Sequence, residues 1–469
     1  MKKRSIAVLF AGVMALGLCA CGGNTQNTPS ETESVEEDSA VMELSSAVVD
    51  AFEWGPAVDK IVVKPQGEVS STEVADYGIS TTGSVREITE IYKSDASGEK
   101  ADDGEYLTFE MKVQNYVGTP FKLDTSQLAM GMNQWVKSFD VTLSVAEGKT
   151  LTIGDEEYSG VLDEEDMISD LFIPGTEVFV KDAYEGDEIT LQRGAYEPDA
   201  LKEDKVKNPL VIWLHGGSEG GEDIDIALLG NEVTALTRED IQSYFTSENG
   251  SDGAYVLAVQ CPTYWMQSEE GAAVDGTKDS MYREVLTEAI EDYVKNHEDV
   301  DTSRIYVGGC SNGGYMTMNL MAHDTKNFFA AAYPVCEAYG NNLMSDEDIK
   351  QLAGRNIWFV QSINDKTVDP YTFGMVTYQR LLQAGAKNCW YSMFESVLGV
   401  DKEDASYNGH WSWIRLFNNQ VTGAQNPEKI AASSDTESYG FEPSDEGGGS
   451  EAPQGYTNFF EWLNAQTNQ

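Results

Sequence analysis

The sequence predicts an all-β sandwich followed by a doubly wound α/β domain with a mostly parallel sheet, and three observations lead there. Between about residues 55 and 150 the apolar residues alternate strictly: Leu107, Phe109, Met111 and Val113 with Thr108, Glu110 and Lys112 between them, then Phe139, Val141, Leu143 and Val145. Period two with one wet face is antiparallel sheet, and short strands between Gly/Asp turns make a sandwich. After about 205 the rhythm changes to continuous apolar runs, at 209–214, 254–259, 305–307, 328–333 and 357–360. These read as parallel strands buried on both faces. Between them Tyr282, Val285, Leu286, Ala289, Ile290, Tyr293 and Val294 form a helical stripe, so strand and helix alternate.

The chain has 469 residues and opens with Lys2, Lys3 and Arg4 ahead of an apolar stretch, 6–18, too short to span a bilayer comfortably. The sequel Leu18-Cys19-Ala20-Cys21 resembles the lipobox of bacterial lipoproteins, with Leu at −3, Ala at −1 and Cys21 as the residue that takes the lipid. The expectation is a signal peptide over 1–20 and a protein exported to a bacterial cell envelope, anchored to the membrane by lipidated Cys21. From Asn24 to Asp59 there is no Lys or Arg, and the first part is rich in Ser, Thr and Glu. Residues 21–50 therefore read as an extended acidic tether. The sandwich is expected over 51–172 and the α/β domain over 173–469. An acidic low-complexity insertion at about 425–455 reads as a surface loop, followed by a last amphipathic helix around Phe459, Phe460, Trp462 and Leu463.

Lys and Arg number 31 against 79 Asp and Glu, a formal charge of −48. That balance repels phosphate backbones and anionic lipid, which excludes nucleic-acid binding and a polybasic membrane patch. The four histidines, His215, His297, His323 and His410, are scattered, so no clustered His/Cys metal site is expected.

Active sites of open α/β sheets sit at the carboxyl ends of the strands. Four such ends carry chemistry: His215-Gly216-Gly217-Ser218, Gly309-Cys310-Ser311-Asn312-Gly313, Asn364-Asp365-Lys366 and Asn408-Gly409-His410-Trp411. Gly309 to Gly313 matches Gly-x-Ser-x-Gly, a weak signal alone, because Gly216-Gly217-Ser218-Glu219-Gly220 matches too. The sequel separates them. Ser311 is followed by Tyr315, Met316, Met318, Leu320 and Met321, an apolar helix that can pack below a strand-to-helix elbow, whereas Ser218 runs into Gly220-Gly221-Glu222-Asp223. Ser311 is thus the candidate nucleophile.

A serine nucleophile needs a base, and its oxyanion needs donors. The order Ser311, Asp365, His410 is that of α/β hydrolases, with acid after a late strand and base on the loop beyond the last. Asp369 competes for the role of acid but lies farther from its strand. His-Gly-Gly after a strand presents backbone N–H groups opposite the elbow, which assigns the oxyanion hole to the amides of Gly217 and Asn312 and makes His215 structural. His297 and His323 read as helix-end residues. Tyr264, Trp265, Trp411 and Trp413 are candidate walls of the substrate pocket, with core packing as the competing reading. Export permits disulfides; for Cys310 and Cys336, near the ends of neighbouring strands, a bridge and buried free thiols both remain open.

Residues 205–420 resemble the secreted α/β-hydrolase esterases that are similar to polyhydroxybutyrate depolymerases and feruloyl esterases and, more distantly, to prolyl oligopeptidases. The resemblance rests on Leu210-Val211-Ile212-Trp213-Leu214-His215-Gly216-Gly217, Gly309-Cys310-Ser311-Asn312-Gly313-Gly314-Tyr315 and Gly409-His410-Trp411-Ser412-Trp413. Glu53-Trp54-Gly55-Pro56-Ala57-Val58 resembles the start of the immunoglobulin-like domain that precedes the hydrolase in some of these esterases. The implied activity is cleavage of a small-molecule or polysaccharide-linked carboxylic ester through an acyl-enzyme, with no metal or organic cofactor required. The alternatives are a serine peptidase of prolyl-oligopeptidase type and a non-catalytic surface binding protein. The acidic insertion departs from the pattern and could lie near the cleft mouth.

Overall fold

A computed structural model describes residues 40–469 apart from 127, 129, 247–249, 272–273, 402–405 and 450–452. The expected signal peptide, Cys21 and the first part of the expected tether lie outside the described residues.

The N-terminal domain is two packed sheets. One runs Leu171–Phe172, Met42–Phe52, Gly55–Pro65, Tyr106–Met111, Ile88–Ser94; the other runs Val161–Asp166, Asp140–Val145, Tyr77–Thr81, Ser84–Arg86. Val141, Leu143 and Val145 point inward to meet Ile61, Val63, Phe109 and Met111. Thr108, expected on the wet face, is buried as well, because the turn carrying Gly98 folds over it and its hydroxyl donates to Ser94 Oγ at 2.7 Å. The strand Met42–Phe52 corrects the tether, which cannot extend to residue 50: Ala47 and Val49 are fully buried and pair with Gly55–Pro65. Absence of basic residues marked acidity there, not lack of structure.

The second domain is built on an eight-stranded sheet in the order Phe179–Glu185, Thr190–Tyr196, Tyr255–Gln260, Asn208–Leu214, Val300–Cys310, Ala331–Val335, Ile357–Ser362, Cys389–Phe394. The last six are mutually parallel, and the first two form an antiparallel edge. Both faces are covered, so residues of one strand divide between two cores: Leu210, Ile212 and Leu214 in one, Val211 and Trp213 in the other. The helix Arg283–Asn296 buries Val285, Leu286, Ala289, Ile290 and Tyr293, the stripe expected of it. The antiparallel edge escaped the sequence reading because Phe179–Glu185 is mostly exposed and has no apolar run.

The acidic insertion is a surface segment of this domain, as expected, and its described part covers the outer strand Cys389–Phe394: Phe441 packs edge-on against Tyr391, and Met393 N–H donates to the Gly447 carbonyl at 2.8 Å. Covering a sheet edge in this way removes a row of unpaired backbone groups from solvent. The expected last helix is Phe459–Asn464, with Phe459, Phe460, Trp462 and Leu463 buried.

Candidate active site

The central strand Val300–Cys310 ends directly at Ser311, which caps the helix Asn312–His323. Ser311 sits at φ 55°, ψ −110°, a conformation a serine adopts only under constraint. The constraint is visible. Its N–H donates to the Val335 carbonyl at 2.9 Å, with Cys336 Sγ at 3.2 Å, and its carbonyl accepts from Tyr315 N–H at 2.8 Å. The turn also demands two glycines, because a Cβ at Gly309 or Gly313 would run into the carbonyl oxygen of Leu214 on the neighbouring strand. The competing match at Ser218 forms a short 3-10 turn, Gly217–Glu219, not an elbow.

Asp365 lies just past the strand Ile357–Ser362, buried, with Oδ1 accepting from the N–H groups of Thr367 and Val368 at 2.9 Å each. Gln361 Nε2 donates to Oδ2 at 3.2 Å. Thus fixed, Oδ2 accepts from His410 Nδ1 at 2.9 Å. A carboxylate partner puts the ring proton on Nδ1 and leaves Nε2 as the acceptor. Gly409 lets the histidine loop come this close, since a Cβ there would collide with Asn364. Asp369 is exposed and spends its carboxylate within its own turn, accepting from Tyr371 N–H at 3.2 Å and Thr372 Oγ1 at 2.6 Å.

Gly217 opens the turn beyond the strand Asn208–Leu214, and Asn312 opens the elbow helix, where the first N–H groups have no intrahelical partner. Asn231 ties the two segments together: its Oδ1 accepts from Gly216 N–H and from Cys310 Sγ, each at 3.2 Å. His215 is fully buried in the interior, its Nδ1 donating to the Gly216 carbonyl at 2.6 Å and its Nε2 accepting from Cys261 N–H at 3.2 Å. Desolvation lowers its pKa to about 4, so it stays neutral. His297 contacts Glu197 at 2.9 Å at its helix end, and His323 bonds back to the Asn319 carbonyl at 2.8 Å.

Among the described residues, Cys336, Asp365 and His410 bring one ligand atom each within 4.8 Å of one another. Burial pushes the Cys336 thiol well up, and the Asp365 and His410 atoms already bond each other. Cys261, Cys310, Cys336 and Cys389 are all buried free thiols, which decides the open question at Cys310 and Cys336.

Of the expected pocket walls, Trp411 and Trp413 stand beside the base, the Trp413 ring 6.4 Å from that of His410. Tyr264 and Trp265 are corrected: both are fully buried, Trp265 against His215 and Tyr282, so neither ring faces an open cleft.

Two family models match the chain. Residues 45–159 match one described as the Esterase Ig-like N-terminal domain, and residues 277–369, which hold Ser311 and Asp365, match the Prolyl oligopeptidase family. The second domain has the α/β-hydrolase fold and follows a domain that matches the esterase Ig-like model. A thermostable esterase of known structure superposes on this hydrolase with a TM-score of 0.64 and 20% identity, covering 80% of this chain and 96% of that one, so the likeness of fold takes in both domains. A ferulic acid esterase aligns with a TM-score of 0.37 and 12% identity over 51% of this chain and 94% of its own. An acylaminoacyl peptidase of Pyrococcus horikoshii aligns with a TM-score of 0.35 and 14% identity over 77% of this chain and 61% of its own. No curated protein matches by sequence.

The hydrolase's Ig-like domain does more than precede the site. Its hairpin Phe121–Asp124/Met132–Trp135 rests on the loop that carries Gly217: Asn133 Nδ2 donates to Glu219 at 3.4 Å, and a Cβ on Gly217 would lie 2.7 Å from Met130 Cε. Glu53, fully buried, holds segments on both sides of His410, accepting from Val400 N–H at 2.6 Å and from Asn418 Nδ2. Sequence reasoning missed these residues. Their partners lie up to 365 positions away, and the one local hint was an ionisable Glu53 beside Trp54.

Proposed function

We propose that the protein is a serine hydrolase of carboxylic esters, exported and held on the membrane of a bacterial envelope by lipidated Cys21. The observation that supports the catalytic reading is the buried Asp365–His410 pair at 2.9 Å, on the sheet end that also carries Ser311 in its strained elbow conformation. Ser311 Oγ attacks the ester carbonyl while His410 Nε2 takes its proton, and Asp365 stabilises the imidazolium. The N–H groups of Gly217 and Asn312 receive the oxyanion, where preorganised donors are worth the most. His410 then returns the proton to the departing alcohol, and water repeats the sequence on the acyl-enzyme.

The esterase Ig-like match supports esters as substrates; the prolyl oligopeptidase match supports amide cleavage as the second reading. Purified protein is expected to turn over short-chain esters, to be labelled at Ser311 by a fluorophosphonate, and to leave proline-containing peptide amides largely intact. Higher kcat/KM on the amides selects the peptidase; no labelling removes both. The lipobox supports the anchor, and Cys21→Ala is expected to move the protein into the aqueous fraction with activity retained. A mutant that still partitions with membranes refutes it.

A further inference from the structure

A cavity of about 320 Å³ lies where the two domains meet. From the N-terminal domain come Trp54, Tyr116 and Phe121; from the loop of the base come Trp411 and Trp413; from the oxyanion loop come Ser218 and Glu219. It is therefore bounded by the immediate neighbours of His410 and Gly217, the base and one oxyanion donor.

Tyr116 is the unusual member. It sits third in a turn closed by Val117 N–H donating to the Gln114 carbonyl at 3.0 Å, and its φ is +62°. A positive φ at that position calls for Gly or Asn, and a bulky residue there is strained. The side chain offsets little of that strain by burial, since it is 63% exposed. Its ring instead bridges the domains, 5.6 Å from Trp54 and 6.2 Å from Trp411. Strain kept for an exposed ring at a site is the pattern of a side chain retained for what it touches.

We infer that this inter-domain cavity is the subsite for an uncharged aryl group of the ester, and that Tyr116 is its specificity-determining residue. The inference rests on the reading of Ser311 as the nucleophile of an esterase. Size fits: a cavity of roughly 150 Å³ holds benzene, which leaves this one room for a ring and a short linker or ring substituents. Chemistry fits as well. Aromatic rings favour edge and face contacts with another ring. Among the described residues no Lys or Arg lines the cavity to balance an anion. Its one carboxyl, Glu219, is buried, and burial pushes it up to about 7.

The ring could be carried on the acyl or the alcohol side, and two substrate pairs distinguish these: methyl 3-phenylpropanoate against methyl hexanoate, and benzyl acetate against hexyl acetate. Wild type is expected to prefer the aryl member of one pair by tenfold or more in kcat/KM. Tyr116→Asn, which suits the left-handed turn and removes the ring, is expected to erase most of that preference, and Tyr116→Phe to keep it. A wild type without preference in either pair overturns the subsite, as does a Tyr116→Asn enzyme that keeps the preference. Failure to hydrolyse any of the four esters removes the esterase reading instead, so the two failures are distinct.

Discussion

The indole N–H of Trp135 donates to the Asp223 carboxylate at 2.7 Å, fastening a hairpin of the Ig-like domain to the loop that carries Gly217. An oxyanion donor works only if it is fixed before the charge develops, so this bond bears on the chemical step. Trp135→Phe keeps the ring and removes the bond. It is expected to lower kcat about tenfold, the worth of one hydrogen bond to a charged group, with a smaller change in KM. Steady-state kinetics on a short alkyl ester checks this. A fall confined to KM would mean that the hairpin touches substrate rather than setting the oxyanion loop.

The two Gly-x-Ser-x-Gly matches separate by mutation. Ser311→Ala is expected to lose about 10³-fold or more in kcat, as for a nucleophile, whereas Ser218→Ala, in the 3-10 turn, should retain most alkyl-ester activity. The reverse ranking would overturn elbow and oxyanion loop together.

The two aspartates separate likewise. Asp365→Asn is expected to cost on the order of 10³–10⁴ in kcat, because the imidazole loses the anion that fixes its tautomer. Asp369→Asn should change activity little, since its carboxylate bonds only within its own turn. Circular dichroism on both variants separates a lost role from a lost fold.

Stability should fall as pH rises from the acidic range to about 8. Burial pushes Glu219 up to about 7 and Glu232 and Glu337 up to about 8. In the unfolded chain such carboxyls titrate near about 4.3. Between those values the folded protein holds more protons than the unfolded one, so stability is full at low pH and drops as pH rises, by on the order of 1 kcal/mol per unit for each group. His215, lowered to about 4, acts oppositely and costs stability only below about 6.5. Calorimetry should therefore give a higher Tm at pH 6 than at pH 8. Glu337→Gln, which preserves an acceptor for Tyr339 N–H, should reduce the difference. Equal or higher Tm at pH 8 contradicts the account.

Much of the catalytic half was legible because its signals are local. Runs such as Val211, Ile212, Trp213 and Leu214 are apolar on successive residues, which only a strand covered on both faces tolerates, and the alternation through Val141, Leu143 and Val145 marks a sheet with one wet face. Once those strands are placed, the rule that sites gather at their carboxyl ends puts Ser311, Asp365 and His410 at one end of one sheet; the distance of 2.9 Å between acid and base is set by the packing of the loop that carries His410. The glycines at 309 and 313 were legible as a spacing; that the Leu214 carbonyl is what they yield to was not.

The rest belongs to the tertiary structure alone. Nothing near Glu53, Tyr116, Met130 or Trp135 in sequence says that each meets the hydrolase domain, and nothing near Tyr264 or Trp265 says that both are sealed inside it. The reason is physical. Periodicity reports which side of an element turns from water, but not which distant surface covers that side. The sequence by itself determined the two folds, the elbow and the acid–base pair; only the packing of one domain on the other decided which side chains hold the Gly217 loop and which rings enclose the cavity beside it.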